Sequence, residues 1–305
     1  MLRNLFKVIM SRTAVLYVLA AGFLLIVGDF PVAWNHVVTS ALSRYMPAHE
    51  YLKDFDKDRT KFDFKKNKEF ELYYRKLTEL MPELPEANAM LGFCYFYDGK
   101  IDRAIAAYQK AARLEPKVFN FYYNQGVIAL ERRDQARALE YFKQSLDVPI
   151  ADNLQFIVTS RMYKPLLPET RIADVLAKEM GEHVYAVYRW AYFETLALAE
   201  QQKDYSVMLR YARQGVAQGL LEAGVGNYYA GRAAYGLKEY EAAAGYLQEA
   251  IRSGFHYAQA FEMIGISLRA LNRRESTAAI AAAASLTHEG KIFKPAPHNR
   301  DLLIY

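Results

Sequence analysis

The sequence predicts an all-α fold made of repeated pairs of short helices behind a single membrane-spanning helix, and three observations predict it. The first is the stretch from Pro85 to Pro116, PEANAMLGFCYFYDGKIDRAIAAYQKAARLEP. It reads as two amphipathic helices broken at Asp98-Gly99 and closed by a proline, which cannot continue a helix. The second is recurrence. Gly92 returns as Gly126, 34 residues on, while Ala104 returns as Ala138, Tyr108 as Phe142 and Ala111 as Ser145. Gly231 pairs with Gly265 at the same spacing, followed by Ala243 with Thr277, Leu247 with Ala281 and Ala250 with Ala284. The third is Thr13 to Gly28, 16 residues without a charge, bracketed by Arg12 and Asp29.

In chain order, residues 1–12 form a basic leader carrying Arg3, Lys7 and Arg12, and residues 13–34 form the transmembrane anchor. Sixteen helical residues span roughly 24 Å, slightly short of the about 30 Å hydrocarbon core. Val8-Ile9-Met10 and a snorkelling Arg12 extend it, and Phe30 and Trp34 follow as at a membrane interface. The alternative is a cleaved signal peptide, giving a soluble exported adaptor. A small-x-small cleavage site is hard to place, because Pro31 disfavours cleavage after Ala33. With three basic residues before the segment and none in the next dozen positions after it, the positive-inside rule places the N-terminus in the cytoplasm and the rest in the periplasm or another extracytoplasmic space. An inverted orientation would make a cytosol-facing organelle receptor. Residues 35–65 combine a juxtamembrane helix, with Val37, Val38, Ala41, Leu42 and Tyr45 at helical spacing, and a connector dense in Asp and Lys.

The coincidence of several small and large positions at one period resembles the tetratricopeptide repeat, whose period is about 34 residues. The resemblance implies a helical-hairpin solenoid, a superhelix whose usual work is binding proteins or peptides, not catalysis. On that frame residues 66–149 form a first sub-array, with a half repeat at Phe70, Tyr74 and Leu77 ahead of two full repeats. Residues 150–188 form a degenerate repeat or a hinge. Lys164-Pro165-Leu166-Leu167-Pro168 interrupts any helix there, and Arg171 to Met180 reads as a helix ending at Gly181. Residues 189–290 form a second sub-array, its units opening near Arg189, Gly224 and Ala258. The last helix, Glu275 to Thr287, is rich in alanine and has almost no charged face. Solenoid ends normally carry a polar outer face, so the apolar tail of residues 291–305 is expected to fold back on it.

The resemblance also places a ligand groove on the first helix of each pair. Its inward positions include Phe93, Phe96, Tyr123, Trp190, Phe193, Tyr228, Arg232, Tyr235 and Arg269, together with Glu200 and Gln259. Tyr, Trp and Arg are the residues that most often dominate interface energies. The expected occupant is an extended peptide or a helix of another membrane or periplasmic protein. A grip on a chaperone C-terminus is not expected, since Ala89 and Phe93 stand at the first-helix positions where such relatives carry paired Lys and Asn residues, and Asn124 alone matches.

Other function classes find no support. The formal charge of +5 owes three units to the leader, and the rest is near balance, which argues against nucleic acid. There is no Walker loop, no His-Glu-x-x-His and no paired-cysteine motif. The six histidines are scattered, and Cys94 is the only cysteine, inside a repeat helix. The reading is therefore of a non-catalytic scaffold with no cofactor, no metal and no small-molecule substrate, its contacts being with partner proteins and, through residues 13–34, with the bilayer.

Overall fold

The computed structural model describes residues 64–159, 181–291 and Phe293. Among the described residues there are twelve α-helices and no strand. They are α1 (Phe64–Leu80), α2 (Pro85–Tyr97), α3 (Ile101–Leu114), α4 (Phe119–Glu131), α5 (Gln135–Leu146), α6 (Ile150–Thr159), α7 (Gly181–Gln201), α8 (Tyr205–Ala217), α9 (Ala223–Gly236), α10 (Tyr240–Arg252), α11 (Ala258–Ala270) and α12 (Ser276–His288). The leader, the anchor at 13–34 and the connector lie outside the described residues, as does the helix expected at 171–180. No described helix is long and apolar enough to cross a membrane.

The pairing follows from local chemistry. Pro85 sits in the first turn of α2, where its missing N–H is no loss. Asp134 and Asp204 cap α5 and α8, each carboxylate accepting from a backbone N–H at 3.1 Å (Arg137 and Val207). Within each pair the chain reverses through one residue in the left-handed region. It is glycine at Gly99, but Arg133, Lys203, Lys238 and Asn272 do the same work at φ between 55° and 64°. A six-residue hydrogen bond closes these turns, as from Asp134 N–H to the Ala129 carbonyl at 2.9 Å and from Glu239 N–H to the Ala234 carbonyl at 2.9 Å.

Packing then follows the recurring small residues. A Cβ added at Gly92 would lie 2.9 Å from the Tyr108 ring, and one at Gly126 would lie 2.7 Å from the Phe142 ring. Each glycine is thus the seat of the large side chain 16 positions on, as Gly231 is for Leu247. The last pair departs from the expected correspondence. Gly265 receives Ile280, and Ser276 and Ala283 are buried while Thr277, Ala281 and Ala284 are exposed. Five residues, Leu271 to Glu275, separate α11 from α12, against three in the other pairs, and the side chain that enters the glycine seat comes 15 positions on and not 16, so the helix is rotated against the alignment by 34.

Helices stack in sequence from α1 to α5 and again from α7 to α12, each against its predecessor. Between the two runs α7 packs on α5. The Tyr188 ring stacks on Phe119 with centroids 3.9 Å apart, and its hydroxyl donates to the Val148 carbonyl at 3.1 Å. Arg210 and the Tyr211 hydroxyl both reach Asp147 at the end of α5, at 3.1 and 3.2 Å. α6 meets the start of α4: Asn153 Oδ1 accepts from Phe119 N–H at 3.0 Å, and Phe156 lies edge-on to Phe121. α7 starts at Gly181, eight residues ahead of the opening expected near Arg189, because Val184, Val187 and Tyr188 carry the buried stripe back without a breaker. One buried cluster runs through the array from Phe70 to Leu268, as nearest-neighbour stacking requires.

At the described beginning of the tail, Phe293 packs on Tyr228, Phe255 and Tyr257, ahead of α11. Residues 294–305 lie outside the described residues.

Candidate functional site

The first helices α2, α4, α7, α9 and α11 carry the nine groove positions, and the structure separates them into three kinds. Phe93 and Tyr123 are buried and belong to the packing of the pairs, while Tyr228 is buried between Phe255 and Phe293. Phe93 lies 4.7 Å from the Tyr97 ring, and Tyr123 sits 5.5 Å from both Phe119 and Phe142. Tyr228 stacks on Phe255 at 4.6 Å. Phe96, Trp190, Phe193, Arg232 and Tyr235 are half-buried, leaving part of each side chain exposed. Phe96 lies edge-on to Tyr97 at 5.2 Å, and Tyr235 leans on Tyr240 at 5.5 Å. Arg269 is exposed and forms no ion pair with a described residue.

Two of the nine are brought into direct contact. Arg232 Nη1 donates to the Tyr228 hydroxyl at 3.2 Å, and the guanidinium lies over that ring. Its other nitrogen pairs with Glu200 of α7. The charge at Arg232 is therefore balanced, whereas Arg269, the other arginine among the nine, has no ion pair with a described residue. Burial pushes the Tyr228 hydroxyl above the usual tyrosine range, with Arg232 opposing it, so the phenol stays neutral. Burial likewise pushes the Tyr229 hydroxyl up to about 12. The Cys94 thiol is raised by burial and, secondarily, by the Glu71 and Asp98 carboxylates, which keeps it a packed thiol and not a nucleophile. Among the described residues no group of His, Cys, Asp and Glu is placed to hold a metal ion.

Sequence reasoning left out three features of this face. Tyr97 links Phe93 and Phe96. Lys100 joins Glu71 of α1 to Asp98 at the end of α2, at 2.7 and 2.6 Å, which lowers the Asp98 carboxyl below its usual range. Gln259, an inward position of α11, holds Phe293 by two hydrogen bonds. The 34-residue spacing of Gln259 and Phe293 was the only signal for that last contact.

The array so described is a stack of antiparallel helix pairs with an aromatic-lined face, a repeat protein by architecture. Residues 95–153 match the family model of the tetratricopeptide repeat. No curated protein matches the sequence. Among solved structures, YrrB, described as a tetratricopeptide repeat protein with an unusual peptide-binding site, is 14% identical, over 71% of this chain and 93% of its own, at a TM-score of 0.45. The MamA fragment from Desulfovibrio magneticus RS-1 is 15% identical over 67% and 96%, at 0.41. The yeast Sti1 TPR2AB domain, solved in complex with an HSP90 peptide, is 15% identical over 78% and 88%, at 0.32.

Proposed function

We propose that this chain is a non-catalytic, membrane-anchored scaffold that holds segments of partner proteins on the concave face formed by its first helices, in the assembly of a cell-envelope complex. The observation that carries the reading is the row of half-buried aromatic side chains, Phe96, Trp190, Phe193 and Tyr235, ending in the exposed Arg269. These residue types contribute large contact area at low entropic cost, and they are the ones that most often anchor interfaces. The tetratricopeptide match over residues 95–153 supports protein binding as the class of work. The uncharged stretch from Thr13 to Gly28 and the basic leader support an anchor, with the N-terminus cytoplasmic and the array periplasmic or otherwise extracytoplasmic.

The test joins topology to binding. With photoreactive residues at Trp190 and Tyr235 in intact membranes, the expected outcome is crosslinks to discrete envelope proteins. Alongside, the array should be cut by protease added from the outer side, and the chain should resist carbonate extraction. Absence of crosslinked partners, or a chain that washes free, would sink the reading.

A further inference from the structure

The described end of the tail is bound in the manner of a peptide ligand. The Phe293 ring lies 4.9 Å from Phe255, 5.4 Å from Tyr257 and 5.8 Å from Tyr228, centroid to centroid. Its backbone is held at both polar atoms by one side chain. Phe293 N–H donates to Gln259 Oε1 at 3.1 Å, and Gln259 Nε2 donates to the Phe293 carbonyl at 3.0 Å. Two residues earlier, the Lys291 carbonyl accepts from Ala258 N–H at 3.1 Å.

A carboxamide that pairs with the N–H and C=O of one residue does what a neighbouring β-strand does. It recognises backbone whose two polar groups point to one side, whatever the side chain. The three surrounding rings then select an aromatic side chain. Tyr228 and Gln259 both lie at inward positions of the first helices, so the contact falls on the proposed ligand face.

We infer that this end of the groove is a subsite for an aromatic residue in an extended peptide segment, filled in cis by Phe293, so that a partner carrying such a segment binds by displacing the chain's own tail. The trans half of this statement rests on the peptide-binding reading of the groove; the cis half stands on the contacts alone. A tethered ligand acts at an effective concentration in the millimolar range, so only a partner of useful affinity, or one anchored at a second point, gains entry.

The test uses the full chain in detergent and a fluorescent synthetic peptide of its own residues 290–297, GKIFKPAP, read by anisotropy. Phe293→Ala is expected to bind the peptide at least about tenfold more tightly than the unaltered chain, because the cis competitor has gone. Replacing the peptide's phenylalanine by alanine, or Gln259 by leucine in the Phe293→Ala chain, is expected to abolish that gain. Equal affinity in the two chains would overturn the inference, as would undiminished binding of the alanine peptide. A Phe293→Ala chain that no longer melts cooperatively would make Phe293 a structural plug and would overturn it as well. A benzoylphenylalanine at position 293 gives an independent reading: crosslinks to Tyr228 or Tyr257 support cis occupancy, and crosslinks elsewhere exclude it. Failure here would leave the Trp190 and Tyr235 crosslinks untouched, so the two readings fail separately.

Discussion

Gly126 and Gly245 sit in helices of equal length and opposite surroundings, and they show what a single missing side chain does in this array. At Gly126 a Cβ would press on the buried Phe142 ring at 2.7 Å, whereas at Gly245, exposed on α10, it would meet nothing within 4 Å. Overpacking costs about 1–3 kcal/mol, and alanine recovers up to about 1 kcal/mol of helix propensity over glycine. Gly126→Ala should therefore lower the melting temperature while Gly245→Ala raises it; the same sign at both sites would contradict the seat-and-ring account. The recurring glycines were legible in the sequence because an absent side chain has no substitute for close approach. The left-handed turns at Arg133, Lys203, Lys238 and Asn272 were not, since nothing in an arginine or a lysine announces a positive φ. They exist because the six-residue hydrogen bond and the next helix cap hold the backbone there.

At the scale of elements, the contact that decides the architecture is α7 on α5. Phe119 and Tyr188 are both nearly inaccessible and stack face to face across the junction. Truncation of a buried aromatic costs about 3–5 kcal/mol, while loss of one hydrogen bond costs about 1 kcal/mol. Tyr188→Ala is expected to strip hydrogen-exchange protection from α7 and α8 before α2 and α3, whereas Tyr188→Phe should leave the order of exchange unchanged. Uniform loss of protection would mean that the two runs of helices do not depend on this junction. The element pattern also shows where periodicity stops being a guide. It located α2 to α5 and α8 to α11 closely, because each is bounded by a turn with its own residues. It missed the start of α7, where no breaker lies between Gly181 and Arg189, and the rotation of α12, which follows a five-residue turn where the other pairs have three.

For the molecule as a whole, the abundance of buried tyrosine sets the response to pH. Burial raises the hydroxyls of Tyr188, Tyr192 and Tyr211 above the ordinary range, and Tyr229 to about 12. In the unfolded chain each titrates near about 10. The folded state therefore holds protons that the unfolded state releases. Stability from this source is intact below about pH 10 and is lost as pH rises from there towards the folded values, at about 1.4 kcal/mol per pH unit for each tyrosine kept neutral. Urea midpoints should stay level between pH 7 and 9 and fall steeply above 10. A midpoint unchanged at pH 11 would mean that these phenols are not the buried groups described.

The sequence by itself determined the helix pairs and their period, because small residues at fixed spacing are the only way for two helix backbones to pack that closely. It also marked the face on which the aromatic residues recur. Only the tertiary structure decided which of those aromatics stay exposed. Burial of Phe93, Tyr123 and Tyr228 depends on neighbours many residues away, and so does the pairing of Arg232 with Glu200. It also decided that Phe293 packs beside α9 and α11, since that contact requires Gln259, Tyr228 and two residues of the preceding turn to meet in space, which no local pattern encodes.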